Sequence, residues 1–218
     1  MAIEAVIFDM NGIIIDDEHI HEGAFRETVK PFGISLDHQS YHECCAGRTD
    51  QAGYESIATK YGLDLPIEAL LLEKSNQYLS LFPGMKKVYP GILECISRLS
   101  SDYILALTSS STRTEVELIT KEFNIQEKLK VIVSGNDVKV GKPDPEPYLL
   151  TCKLLQIQPS EAVVIEDSAS GVKSAIAAGC KCIAVTTTHT NSQLLTNKPT
   201  QILDNFDQID TSLINSLN

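Results

Sequence analysis

The stretch Val6-Ile7-Phe8-Asp9-Met10-Asn11-Gly12 decides the fold. Three apolar residues run straight into a carboxylate, and a glycine soon follows. Such a run reads as a buried strand that ends at Asp9 and turns at Gly12. An acid at the carboxyl end of a buried strand lies where α/β sheets hold their ligands. A carboxylate placed there can act as a nucleophile and form an acyl phosphate. Two residues on, where a second acid would serve as general acid and base, stands Asn11. An amide can hydrogen-bond but cannot transfer protons.

Working outward, apolar runs of strand length alternate with amphipathic helical stretches. After the strand at 5–8, further strands are expected at 103–108, 131–133, 162–165 and 182–185, with a short edge strand at 201–203. Helices are expected at 91–99, 112–123, 145–155 and 171–178. The third opens with Asp144-Pro145-Glu146, a capping acid, then Pro at the first helical position, then an acid in the first turn. This alternation predicts an α/β fold, a doubly wound parallel sheet with right-handed crossovers.

Residues 16–84 break the rhythm. Helical patterns cover 18–29, 49–61 and 66–81, separated by turn signals at Pro31-Phe32-Gly33, Tyr61-Gly62 and Phe82-Pro83-Gly84. The expected division is an α/β domain of residues 1–15 and 85–218, with an inserted helical cap domain of residues 16–84. The last dozen residues are expected to form a terminal helix or to fray.

Composition narrows the function. A chain of 218 residues with 43% hydrophobic and 22% charged residues can bury a sizeable core. A net charge of −11 argues against non-specific binding to nucleic acid or to an anionic membrane. It leaves room for a small phosphorylated metabolite, because a metal and a few cations can reverse the field inside one pocket. No apolar run is long enough for a transmembrane helix, and no signal-like segment opens the chain, so a cytoplasmic protein is expected. The six cysteines form no Cys-x-x-Cys pair. Reduced, partly buried thiols explain them better than a redox or soft-metal site at Cys44-Cys45 or Cys180-Lys181-Cys182.

Four strand-end segments carry the chemistry: Asp9-Met10-Asn11-Gly12, Leu107-Thr108-Ser109-Ser110-Ser111, Gly141-Lys142-Pro143-Asp144-Pro145 and Val164-Ile165-Glu166-Asp167-Ser168. Singly, each has an ordinary reading. The acid and the serines could be helix caps, Lys142 a solvated side chain, and Glu166-Asp167 the start of the next helix. Together they supply a nucleophile, hydroxyls for a phosphoryl group, a fixed cation and a pair of acids for a hard metal ion, in that order.

The set resembles the haloacid dehalogenase superfamily over nearly the whole chain. The segments Val88-Tyr89-Pro90-Gly91-Ile92, Gly141-Lys142-Pro143-Asp144-Pro145 and Ile165-Glu166-Asp167-Ser168-Ala169-Ser170-Gly171 resemble its β-phosphoglucomutase-like phosphatase branch. The resemblance implies a Rossmann-type core in which Asp9 becomes an aspartyl phosphate. Ser109, with the Ser110 amide, would bind the transferring phosphoryl group. Lys142 would neutralise charge on that group and on Asp9. Asp167, with Glu166 beside it, would help hold Mg²⁺ alongside the Asp9 carboxylate and the Asn11 main-chain carbonyl. In the cap, His21, Arg48 of Ala46-Gly47-Arg48-Thr49, and Lys74 match positions that face the substrate in sugar phosphomutases. Arg48 suits a second, non-reacting phosphate. A half-buried histidine is an equal reading for His21, and a solvated helix face an equal one for Lys74.

The family pattern has Asp at position 11. Losing a general acid–base group slows a reaction about 10²–10⁴-fold. Nearby, Asp17 stands where Ser is usual and His19 where Pro is common. Asn11 is open to three readings: an engineered trap, a natural slow enzyme moving protons through His21 or Glu18, or a phosphometabolite-binding or interaction protein on a weakened catalytic scaffold. The expected activity is Mg²⁺-dependent hydrolysis of a small, sugar-phosphate-like monoester. A β-phosphoglucomutase-like phosphomutase is the alternative within the enzymes. The paired acids favour a metal-assisted phosphatase over a dehalogenase.

Overall fold

The computed structural model describes residues 2–45 and 48–217. The chain divides into two compact units, Met1–Ile15 with Val88–Asn218, and Asp16–Lys87.

Among its described residues the first unit holds six strands: β1 (Ala5–Phe8), β2 (Ile104–Thr108), β3 (Leu129–Val133), β4 (Ala162–Glu166), β5 (Lys181–Val185) and β6 (Gln201–Leu203). They form one sheet in the order β3-β2-β1-β4-β5-β6, and every pairing is parallel. This is the doubly wound order, and its direction reverses between β1 and β4, the point where such sheets open a crevice for ligands. The expected α/β doubly wound parallel sheet is therefore the observed one. β1 and β4 are buried along their whole length, as apolar runs covered on both faces must be. Phe8 pairs with Leu107 on one side and Ile165 on the other, so β1, β2 and β4 end level. That register brings the residues after Phe8, Leu107 and Ile165 to one edge.

The helices follow from local rules. One helix, Ile92–Leu99, buries Ile92, Cys95, Ile96 and Leu99, a single apolar stripe. Arg113–Glu122 opens on a capping box made by Thr112 and Glu115. Glu146–Leu155 starts one residue later than expected, with Pro145 in the capping position. Asp144 still satisfies an orphan donor, its carboxylate accepting from the Glu146 N–H at 2.9 Å. The terminal helix is Thr211–Ser216.

The second unit is helical. Numbered along the chain, α1 is Glu18–Val29, α2 His38–Cys44, α3 Asp50–Tyr61 and α4 Ile67–Met85. Its core gathers Phe25, Val29, Leu36, Tyr41, Cys44, Tyr54, Ile57 and Leu70. Burying each large apolar side chain contributes roughly 1.5–3 kcal/mol. Two features depart from the sequence reading. α2 was not expected, because its polar run hides an inward pair, Tyr41 and Cys44; the Asp37 carboxylate caps it, accepting from the Ser40 N–H at 2.7 Å. The turn expected at Phe82-Pro83-Gly84 is instead the last turn of α4. Proline's fixed φ suits a helix, its missing N–H leaves one bond unmade, and the buried Tyr78 and Phe82 anchor that turn against the unit.

All six cysteines are buried and unbridged. Among the described residues, no helix is long and apolar enough to cross a membrane.

Candidate active site at the carboxyl edge of the sheet

Asp9 follows β1 with its N–H still bonded to the Ile165 carbonyl at 3.0 Å, so the sheet ladder itself aims the carboxylate. Its Oδ1 accepts from Lys142 Nζ at 2.7 Å. Lys142 spends its other protons on Glu166 Oε1 at 2.8 Å and on the Thr108 carbonyl at 3.2 Å. Its Nζ also lies 4.9 Å from the centre of the Tyr148 ring. Burial alone would lower the Lys142 pKa, but Asp9 and Glu166 outweigh it and hold the ammonium charged.

Glu166 and Asp167 are neighbours in sequence and opposites in satisfaction. Glu166 is fully buried and accepts five hydrogen bonds. Lys142 and the Tyr148 hydroxyl (3.0 Å) reach Oε1, while the N–H groups of Asp167 (2.9 Å) and Ser168 (2.9 Å) and the Ser168 hydroxyl (3.0 Å) reach Oε2. Burial pushes its pKa up, but Lys142 and Ser168 more than reverse this, and Glu166 is ionised. Gly171 permits the arrangement, since a Cβ there would lie 1.6 Å from Oε1. Asp167 is also buried, but its Oδ1 has no hydrogen-bond partner among the described residues. Burial first, then the charges of Glu166 and Asp9, drive its pKa well above the carboxylate range. The same forces push Asp9 up to about 7: burial raises it, Lys142 lowers it, and Glu166 raises it again.

Asp9, Glu166 and Asp167 each offer an oxygen, and these lie within 4.8 Å of one another. Three buried carboxylates face one ammonium. The excess negative charge and the orphaned Asp167 oxygen fit a hard divalent cation, for which all-oxygen ligands are the rule.

The serine segment closes the other side. Asn11 Oδ1 accepts from Ser109 Oγ at 3.2 Å and Ser111 Oγ at 2.8 Å, and Ser109 Oγ accepts from the Ser111 N–H at 3.0 Å. Ser109 is buried and Ser110 exposed. Ser111 stood within the quoted motif but was given no role, and the structure ties it to Asn11. Thus Asp9, Asn11, Ser109, Lys142, Glu166 and Asp167 converge at one edge.

The sequence reading missed Tyr148, which braces Glu166, and the threonines after β5. Thr187 Oγ donates to the Gly12 carbonyl at 2.6 Å, and Thr188 Oγ donates to Asp167 Oδ2. Their signal was present, since Thr186-Thr187-Thr188 is one more polar run at the end of an apolar strand.

The other three expected residues lie in the helical unit. His21 Nε2 is 3.4 Å from Asp17 Oδ2, and its ring packs 4.7 Å from that of Tyr78. The Tyr78 hydroxyl donates to the same Asp17 oxygen at 2.6 Å. Lys74 is 1% exposed, which excludes a solvated face. Its Nζ sits 2.8 Å from Asp50 Oδ2 and 5.4 Å from the Tyr78 ring centre. Arg48 is exposed, and Ala46 and Gly47 of its motif lie outside the described residues.

A family model described as haloacid dehalogenase-like hydrolase matches residues 6–185. A phosphorylated carbohydrates phosphatase of Thermotoga maritima is 31% identical over 182 residues, covering 83% of this chain and 84% of the relative. A β-phosphoglucomutase of Bacillus subtilis is 26% identical, covering 84% of this chain and 83% of the relative. In structure, the chain matches an Asp-to-Asn mutant of CbbY from Rhodobacter sphaeroides, solved with xylulose-(1,5)bisphosphate. Its TM-score is 0.83 at 28% identity, covering 94% of this chain and 96% of that one.

Proposed function

The chain belongs to the haloacid dehalogenase-like hydrolases and is an enzyme of their phosphatase kind, and we propose that it hydrolyses a small phosphate monoester, a phosphorylated carbohydrate, with Mg²⁺ and through Asp9. The observation that carries this reading is the buried cluster of Asp9, Glu166 and Asp167 around a single lysine, with Asp167 Oδ1 unsatisfied. Asp9, Asp167 and the Asn11 main-chain carbonyl are the groups assigned to the metal. Glu166 belongs to the same cluster, and its bond to Lys142 fixes that ammonium. Bound Mg²⁺ would supply Lewis-acid charge stabilisation for the incoming dianion.

The chain's own groups then divide the work. An Asp9 oxygen attacks phosphorus, the P–O ester bond breaks, the alcohol leaves as an oxyanion that takes its proton from solvent, and the phosphoryl group becomes an aspartyl phosphate. Lys142 offsets the charge that gathers on Asp9 and the phosphoryl oxygens. Ser109, turning its hydroxyl proton from Asn11, and the Ser110 N–H are assigned to donate to those oxygens. Water then attacks phosphorus, releasing inorganic phosphate and restoring Asp9. Asn11 can donate a hydrogen bond to the leaving oxygen but no proton, so both steps run slowly and esters with good leaving groups fare best. The helical unit serves as a substrate-selecting cap, with His21, Arg48 and Lys74 assigned to the sugar and a distal phosphate. The likeness to a β-phosphoglucomutase supports a second reading, transfer to a sugar hydroxyl instead of water.

The test is phosphate release from an aryl phosphate and a sugar-phosphate panel. Turnover should vanish in Asp9→Ala, stop with EDTA and return with Mg²⁺. Metal-independent turnover, or turnover that survives Asp9→Ala, would sink the proposal. A rearranged sugar phosphate in place of free phosphate would establish the mutase reading.

A further inference from the structure

The loop after β5 touches the site at two points. Thr188 Oγ donates to Asp167 Oδ2, and one residue earlier Thr187 Oγ donates to the Gly12 carbonyl at 2.6 Å. Gly12 has φ +79°, and a Cβ on it would lie 2.1 Å from Asp167 Oδ2. The space a side chain at position 12 would fill is therefore taken by the carboxylate, and Thr187 holds the turn that leaves it open. A hydroxyl has one proton, and Thr188 gives it to Asp167. His189 Nδ1 lies 2.9 Å from Thr188 Oγ. The result is asymmetric: one carboxylate oxygen is fixed by the loop, and the other, Oδ1, is buried without a partner among the described residues.

We propose that Thr188 is a positioning residue for the metal acid: it pins Asp167 Oδ2 so that Oδ1 is presented to the divalent cation, with Thr187 holding the Gly12 turn beneath it. The proposal rests on the Mg²⁺ reading above. A carboxylate free to rotate about χ2 would have to be ordered when the cation arrives, whereas one already held does not. Partners of this kind change metal affinity about 10–100-fold when removed. Thr188→Val keeps the shape of the side chain and deletes the hydroxyl.

The experiment is calorimetric titration of Mg²⁺ alone into the metal-free protein, with the melting temperature of each metal-free variant recorded beside it. Thr188→Val should bind Mg²⁺ about 10–100-fold more weakly. Thr188→Ser, which restores the hydroxyl, should stay within about threefold of the parent, and Thr187→Val should fall between them. Asp167→Asn should lose binding. Unchanged affinity in both Thr188→Val and Thr187→Val, with Asp167→Asn losing binding, would overturn the positioning role and leave the metal reading standing. If Thr188→Val fails to fold, Thr187→Val and Thr188→Ser carry the same comparison. Equal binding by the parent and Asp167→Asn would overturn the metal reading and this proposal with it.

Discussion

Each unit buries a cluster of charged and polar side chains, and the two clusters are balanced differently. In the helical unit the groups pair off. Lys74 meets Asp50, and Asp17 meets both His21 and the Tyr78 hydroxyl. At the carboxyl edge of the sheet, three carboxylates share one ammonium and one oxygen is left over. A balanced cluster is complete as folded. An unbalanced one is held in a strained charge state by the surrounding core and gains most when a cation arrives. The difference separates charges already paired within the fold from a cluster left open to a cation.

The comparison can be broken at three places. The largest expected effect is at Asn11. Its amide oxygen already accepts from Ser109 and Ser111, and an aspartate can accept both bonds with the same atoms. Asn11→Asp should therefore keep the local geometry, add the missing acid and raise kcat for a sugar phosphate about 10²–10⁴-fold. The gain should be smaller for an aryl phosphate, whose leaving group needs less protonation. Steady-state kinetics on the two substrates side by side check this. An absent gain on both would mean that another group already moves the proton.

The second effect is on stability. Deleting a carboxylate should stabilise the crowded cluster. The folded-state pKa of Asp9 is raised from 3.8 to about 7. A carboxyl group raised in this way favours folding while protonated, and that contribution is lost as pH climbs through about 7. Asp9→Asn should therefore raise the melting point of the metal-free protein, by little near pH 4 and by the equivalent of ~1–4 kcal/mol at pH 8. A gain that shrinks as pH rises would contradict the charge-crowding account.

The smallest effect is the reverse case. Asp50→Asn removes a carboxylate 2.8 Å from the buried Lys74 ammonium and should destabilise the protein. Asp50 is 28% exposed, so the loss is screened to about 1–2 kcal/mol. Adding Lys74→Met should recover most of it. Chemical denaturation of the single and double variants measures the coupling. If Asp50→Asn stabilises, the helical cluster is crowded too and the contrast fails.

Much of this was legible before the fold was known. Asp9, Lys142 and the Glu166-Asp167 pair stand out because each ends an apolar strand or precedes a capped helix, and those signals are local. The α2 helix escaped because its two inward residues sit in a polar run. Pro83 misled because proline ordinarily interrupts a helix, whereas α4 runs through it to Met85 with one hydrogen bond unmade. Lys74 was read equally as solvated because helical position alone does not tell a charged side chain that faces water from one that faces Asp50.

By itself, the sequence determined the alternation of strands and helices, hence the doubly wound sheet, and the residue types at its carboxyl edge. Periodicity, capping and turn chemistry act over a few residues, so they can be read along the chain. Only the tertiary structure decided which acid is satisfied and which is left open. That depends on parallel register, which brings together Asp9 and Lys142, 133 residues apart, and Gly12 and Thr187, 175 apart. Glu166 and Asp167 differ by one methylene and one position in the chain. The Lys142, Tyr148 and Ser168 donors around the first, and the single hydroxyl of Thr188 on the second, give them different chemistry.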